Sequence, residues 1–206
     1  MALIVASDFS GREMDLYQLG RLNVDGVLRL ENRNSVRDIL TTVDRAIATA
    51  LAGRVVTATV AELPPLAQDA VRWTIENADT QPQVSELAAA LAMSPRVLLR
   101  ELRVLGLSPP RTLLLWGRLI RASHLLDRPS ATVEAVAYHL GYSTGGALGK
   151  ALKRHVGCSP TLLRKKGGLE WTLKVFQRRG LRLGKKSGRR WAKPGGQRWR
   201  EAGRKE

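Results

Sequence analysis

The chain has 206 residues, 44% of them hydrophobic, a formal net charge of +16 at pH 7 and a single cysteine. No apolar run reaches the roughly 18 residues of a membrane span, MALIVASDFS lacks the basic start and cleavage signal of a secretory peptide, and the lone Cys158 excludes an internal disulfide and fits a reducing cytoplasm. So large a positive excess calls for a polyanionic partner, nucleic acid first, and it is unevenly spread: the net charge is −3 over residues 1–80, +7 over 81–164 and +12 over 165–206.

Along residues 1–60 the hydrophobic pattern alternates between two periods. ALIVAS has a strand's length and β-branched content, GREMDLYQLGRL has helical spacing, and VDGVLRL is again strand-like. NSVRDILTTVDRAIATALAG predicts an amphipathic helix: Val36, Ile39, Leu40, Val43, Ile47 and Leu51 form its stripe, Asn34 or Ser35 caps it and Gly53 ends it. RVVTATV reads as a last strand or a strand-like linker. The order β-α-β-α suggests parallel wiring, although about fifty residues cannot cover both faces of a sheet. This front resembles the second half of a response-regulator receiver domain. Under that resemblance Ser7 takes the family's Ser/Thr switch position, while Leu30 and Glu31 stand where the family has a lysine. The family's phosphate-accepting strand is not among these residues, so neither phosphorylation nor a Mg²⁺ site is implied. A segment that packs or dimerises is.

The middle reads as helical throughout. PPLAQDAVRWTIENADT carries Leu66, Ala70, Val71, Trp73 and Ile75 as its apolar content. QVSELAAALAMSPRVLLRELRVLGLSP reads as two helices broken at Met93–Ser94, with Ser94 as N-cap and Pro95 in the first turn. The second of these buries Val97, Leu98, Leu102 and Leu105, leaves Arg96, Arg100 and Arg103 on its other face, and stops at Gly106. A packing helix, a tight turn and a helix with free arginines make a helix-turn-helix pattern. RTLLLWGRLIRASHLLDRP is then a long apolar-striped helix, with Trp116, like Trp73, in the core. After it the pattern returns: VSELAAALAMS matches VEAVAYHLGYS, and RELRVLGLSP matches KALKRHVGCSP with the same spacing to its Ser-Pro ending. This is an internal repeat at about 49 residues.

Residues 64–164 closely resemble the DNA-binding domain of the AraC/XylS family of bacterial transcription regulators. The motifs are ELAAALAMSPRVLLRELR, GLSP, RLIRASHLL, VEAVAYHLGYS and ALKRHVGCSPTLLR, ending in the family's Gly-x-x-Pro-x-x-x-Arg at Gly157, Pro160 and Arg164. The resemblance implies seven helices, two of them recognition helices entering successive major-groove segments. It places base contacts on Arg96, Leu99 and Arg100 in the first unit and on Gly146, Ala147 and Lys150 in the second. Phosphate contacts fall on Ser94, Arg103, Ser143, Thr144, Lys153 and Arg154. Gly141 belongs to the turn, where the backbone bends. Gly145, Gly146 and Gly149 depart from the family, which has polar or helix-forming residues there. Either backbone approaches DNA closely at these glycines, or they reflect drift; alanine at 145 and 146 is expected to steady the helix.

Other signals point to no chemistry. His124, His139 and His155 have no ligand spacing, Cys158 sits in the Gly-x-x-Pro turn, and no catalytic constellation, metal site or cofactor motif is present. Residues 165–206 are rich in Gly, Arg, Lys and Trp, the composition of a basic arm or of a shifted reading frame. The fold expected is therefore mainly α: a seven-helix double helix-turn-helix domain at 64–164, after a truncated α/β receiver-like segment at 1–60 and before a basic, largely disordered tail at 165–206. GLEWTLKVFQRR is the tail's one stretch able to form a short helix, and the body is expected to stay folded without residues 165–206. The function expected is a cytoplasmic, non-enzymatic, sequence-specific regulator that binds double-stranded DNA and touches RNA polymerase at a promoter. The rivals are a nonspecific basic nucleic-acid-binding protein and an interaction protein acting through its N-terminal segment.

Overall fold

The computed structural model describes residues 4–7, 26–29 and 36–181. Strands β1 (Ile4–Ser7) and β2 (Gly26–Arg29) pair in parallel, Ile4 opposite Gly26 and Ser7 opposite Arg29. The pairing agrees with the parallel wiring expected of ALIVAS and VDGVLRL. The helix expected at GREMDLYQLGRL lies outside the described residues.

Helix α1 (Val36–Thr59) differs from the expectation at its end. Gly53 does not stop it, and RVVTATV is neither strand nor linker: the helix continues through RVVTAT. Leu51, Ala52, Val55, Val56 and Val60 are all buried, so the apolar stripe crosses Gly53 unbroken. Burying a Leu or Val side chain contributes about 1.5–3 kcal/mol, which outweighs the roughly 1 kcal/mol helical penalty of one glycine.

Eight more helices follow among the described residues: α2 (Pro65–Glu76), α3 (Val84–Ala90), α4 (Pro95–Val104), α5 (Pro110–Leu126), α6 (Val133–His139), α7 (Gly145–His155), α8 (Pro160–Lys165) and α9 (Gly168–Arg179). Helices α2 to α8 are the seven expected of the middle segment. Their starts are written locally. Ser94 Oγ accepts from Val97 N–H at 3.3 Å, Thr132 Oγ1 from Ala135 at 3.1 Å, Thr144 Oγ1 from Ala147 at 3.1 Å and Ser159 Oγ from Leu162 at 3.4 Å. Each cap satisfies an amide that the helix itself leaves without a partner. Proline occupies the first turn of α2, α4, α5 and α8, where its missing N–H does no harm.

Helix α5 is the axis of the fold. It contacts α2, α3, α4, α6, α8 and α9, and Leu113, Trp116, Leu119, Ile120 and Leu126 are buried along it. Arg121 is buried too; its Nη2 donates to the Asp44 carbonyl of α1 at 3.1 Å. Burial holds this guanidinium below its ordinary value, because the charged form loses water.

The body does not end at Arg164. GLEWTLKVFQRR is the packed helix α9, with Leu169, Thr172, Leu173 and Phe176 buried. The Phe176 and Trp116 rings lie 5.4 Å apart, and the Ser123 and Thr172 hydroxyls share a buried hydrogen bond of 2.7 Å. The stripe at 169, 173 and 176 recurs every three or four residues and covers a face of α5. The basic, glycine-rich composition around it hid that periodicity. Residues 182–206 lie outside the described part.

Candidate nucleic-acid interface

Helix α3 buries Leu87 and Ala88, and α4 lays Leu98 and Leu102 on the same core. Burial of positions 98 and 102 turns positions 96, 99, 100 and 103 outward, four residues on one helical face. Arg96, Leu99, Arg100 and Arg103 are all exposed there, with Ser94 at the helix start. Arg100 pairs with its neighbour Glu101 at 3.0 Å while its side chain remains 71% exposed. Exposed pairs of this kind contribute about 0–1 kcal/mol, so a nucleic acid can displace Glu101.

The second unit repeats the plan on α6 and α7. Val136 and Ala137 correspond to Leu87 and Ala88, and Leu148 and Leu152 to Leu98 and Leu102; all are buried. Gly146, Lys150, Lys153 and Arg154 are exposed on α7, and Ser143 and Thr144 are exposed at its start. The spacing to the Ser-Pro ending is not identical as expected, since α4 has 10 residues and α7 has 11, and the turns differ too. Four residues separate α3 from α4 and five separate α6 from α7, and the caps are Ser94 and Thr144. Aligned on those caps, Ala147 matches half-buried Val97, and the counterpart of Leu99 is half-buried Gly149. On α7 the counterparts of Arg96, Leu99, Arg100 and Arg103 are therefore Gly146, Gly149, Lys150 and Lys153.

The glycines have separate reasons. Gly141 has φ +71°, a left-handed turn position that favours glycine. Ala92 takes the equivalent place in the first turn at φ 54°. Gly145 is buried at the α6–α7 contact: a Cβ there would lie 2.1 Å from Glu134 Oε2 and 3.3 Å from the Glu134 amide nitrogen. Packing of α6 on α7, not an approach to DNA, is what crowds this position. Gly146 faces open space apart from Thr144 Oγ1 at 3.7 Å, and a Cβ on Gly149 would meet Pro160 at an ordinary 3.7 Å. The expected steadying by alanine thus fails at 145. Gly145→Ala is expected to destabilise by about 1 kcal/mol, at the low end of overpacking. Gly146→Ala and Gly149→Ala are expected to stabilise by up to about 1 kcal/mol each. Thermal unfolding of the three single variants checks the signs; a raised midpoint for Gly145→Ala would refute the packing account.

Between the units lie cations the sequence pattern did not single out. Arg111 and Arg118 of α5, with Gln81, Pro82, Gln83, Val84 and Leu114, line a groove of about 260 Å³ at the start of α3. Arg118 sits 5.3 Å from the centre of the Tyr142 ring, joining α5 to the second turn. Their spacing on α5, two turns apart, was the available signal. Arg164 of the Gly-x-x-Pro-x-x-x-Arg motif is exposed but bonded to the protein itself: it donates to the Leu126 carbonyl at 2.9 Å and to that of Ala131, tying α8 to the end of α5.

Among the described residues the histidines and Cys158 form no cluster that could hold a metal ion. His139 is exposed and His124 half-buried. The His155 ring meets Trp116 edge-on at 6.4 Å. Burial lowers both His124 and His155, each helped by neighbouring arginines. Cys158 is buried in its turn, and burial pushes its thiol up, away from the reactive thiolate. Among the described residues no helix is long and apolar enough to cross a membrane.

A model of a helix-turn-helix domain family matches residues 87–166. No curated protein matches the chain. Among solved structures, a DNA-binding transcriptional dual regulator from Escherichia coli K-12 is 22% identical over 50% of this chain and 92% of that one, with a TM-score of 0.45. The DNA-binding domain of AdpA, a global transcriptional factor solved in complex with a target DNA, is 34% identical over 50% of this chain and 91% of that one, at a TM-score of 0.43. A transcriptional regulator with an AraC-type DNA-binding domain from Chromobacterium violaceum is 25% identical, covering 50% and 91%, at 0.45.

Proposed function

Residues 87–166 belong to the AraC-type helix-turn-helix family, and on that premise we propose that the chain is a sequence-specific regulator of transcription, reading two successive major-groove segments of double-stranded DNA with α4 and α7. The observation that carries this reading is the pair of outward basic faces, Arg96–Arg100–Arg103 on α4 and Lys150–Lys153–Arg154 on α7, joined through one stiff helix. The 17 residues of α5 span about 25 Å, the same order as the roughly 34 Å between groove segments one turn apart.

In this reading Arg96 and Arg100 reach guanine O6 and N7, Leu99 meets a thymine methyl, and Lys150 is the one long side chain of the second unit aimed at base edges. Arg103, Lys153 and Arg154 take phosphates. Ser94 and Thr144 use their oxygens for the caps, which leaves each hydroxyl proton free for a phosphate oxygen, and Ser143 joins them. Gly146, Ala147 and Gly149 offer no side-chain donor, so the first unit carries most of the specificity. Placed at a promoter, the protein is within reach of RNA polymerase.

Selection of bound DNA from a random pool tests the reading, followed by titration of variants on the selected site and on scrambled DNA. Arg100→Ala is expected to lose about 1–3 kcal/mol on the selected site and much less on scrambled DNA. Lys153→Ala is expected to weaken both by similar factors, since phosphate contacts position without specifying. Equal base preference in both halves of the selected site would contradict the unequal division. No preference at all would leave a nonspecific basic binder.

A further inference from the structure

Two bodies joined by a single helix keep a hinge about it. Here a second strut removes that hinge, and it lies beyond the 87–166 match. Helix α9 runs along α5, held by the 2.7 Å Ser123–Thr172 hydrogen bond and by Phe176 against Trp116. At its start the Asp127 carboxylate accepts the Leu169 N–H at 3.1 Å. At its far end it reaches both units. Ser108, just past α4, donates its N–H at 3.0 Å and its hydroxyl at 2.8 Å to the same Gly180 carbonyl, and Leu107 pairs antiparallel with Leu181. Arg179 donates to the carbonyl of His155, the last residue of α7, at 3.3 Å.

We propose that α9 and residues 180–181 brace the two DNA-reading units, holding the C-terminal ends of α4 and α7 at one separation and so setting the half-site spacing the protein accepts. Ser108 and Arg179 are its positioning residues. A braced pair meets its second groove segment already aligned, without ordering two bodies on binding. A DNA with shifted half-sites must bend or leave one unit unbound. This inference rests on the two-groove reading above.

The test uses the full chain and the selected site, with half-sites moved together or apart by one base pair. The wild-type protein should prefer the native spacing. In Ser108→Ala/Arg179→Ala that preference should fall at least about fivefold, while affinity at the native spacing changes by less than about twofold. Weakening by one common factor at every spacing would make Arg179 a phosphate contact only and overturn the brace, as would a wild-type protein indifferent to spacing. Where the double variant lacks a cooperative melt, Arg179→Ala alone, whose side chain is exposed, takes its place. A measurement without DNA separates the brace from the reading: spin labels at Arg103 and Lys153, in a Cys158→Ala background, report the distance between α4 and α7. A distribution that broadens on Arg179→Ala supports the brace even if the selected site proves no better than scrambled DNA. An unchanged width overturns it.

Discussion

Deletion of residues 165–206 is expected to abolish cooperative unfolding, whereas deletion of residues 182–206 is expected to leave a folded body that binds DNA more weakly. The longer deletion removes five buried apolar side chains, Leu169, Leu173, Val175, Phe176 and Leu181, and exposes what they cover, Trp116 among it. Truncating one buried Phe to Ala loses about 3–5 kcal/mol. A domain has only about 5–15 kcal/mol in total, so losing the whole face exceeds what the fold can spare. Phe176→Ala alone should lower stability by about 3–5 kcal/mol. The shorter deletion removes ten Lys and Arg against two Glu, a net charge of +8. Each phosphate contact among them steepens the slope of log K against log salt by about 0.9, so their loss flattens it. Calorimetry of both truncations and DNA titrations of the shorter one at several salt concentrations settle the matter. A 1–164 fragment that melts cooperatively near the full chain's midpoint would refute the role given to α9.

Gly117→Ala is expected to destabilise by about 3 kcal/mol, at the top of the usual overpacking range. Gly117 lies in α5 where it crosses α2, and a Cβ there would sit 2.2 Å from the Thr74 carbonyl oxygen and 2.7 Å from its carbon. Those are backbone atoms, so no rotamer change relieves the contact; the helices must part. For a chain of this size the loss corresponds to a midpoint lowered by about 6–12 °C. DNA binding should weaken as well, because α5 packs against α3 and α4 on one side and α6 and α8 on the other. Gly53→Ala is the control. A Cβ there meets only Arg72 Nη1 at 4.0 Å, so that variant should gain up to about 1 kcal/mol in helix α1. Equal midpoints for the two variants would show that the crossing yields more readily than this geometry allows.

The repeat, the Ser94 cap and the outward face of α4 were legible in the sequence because each depends on residues within a turn or two. Ser94 caps its own helix, and the spacing of Leu98 and Leu102 alone turns Arg96 and Arg100 to solvent. Net charge and the repeated turn then pointed to nucleic acid before any coordinates. Tertiary structure decided what depends on a distant partner. Gly145 and Gly146 are neighbours with the same propensity, yet Glu134 on another helix crowds one and leaves the other free. RVVTAT has β-branched residues suited to a strand, but its valines are needed in the core, and it stays helical. GLEWTLKVFQRR has a weak stripe inside a basic composition, and it becomes part of the body only because Trp116 and Ser123 leave a face for it. Periodicity within one element tells which side is buried; only the contact between elements tells what lies against that side.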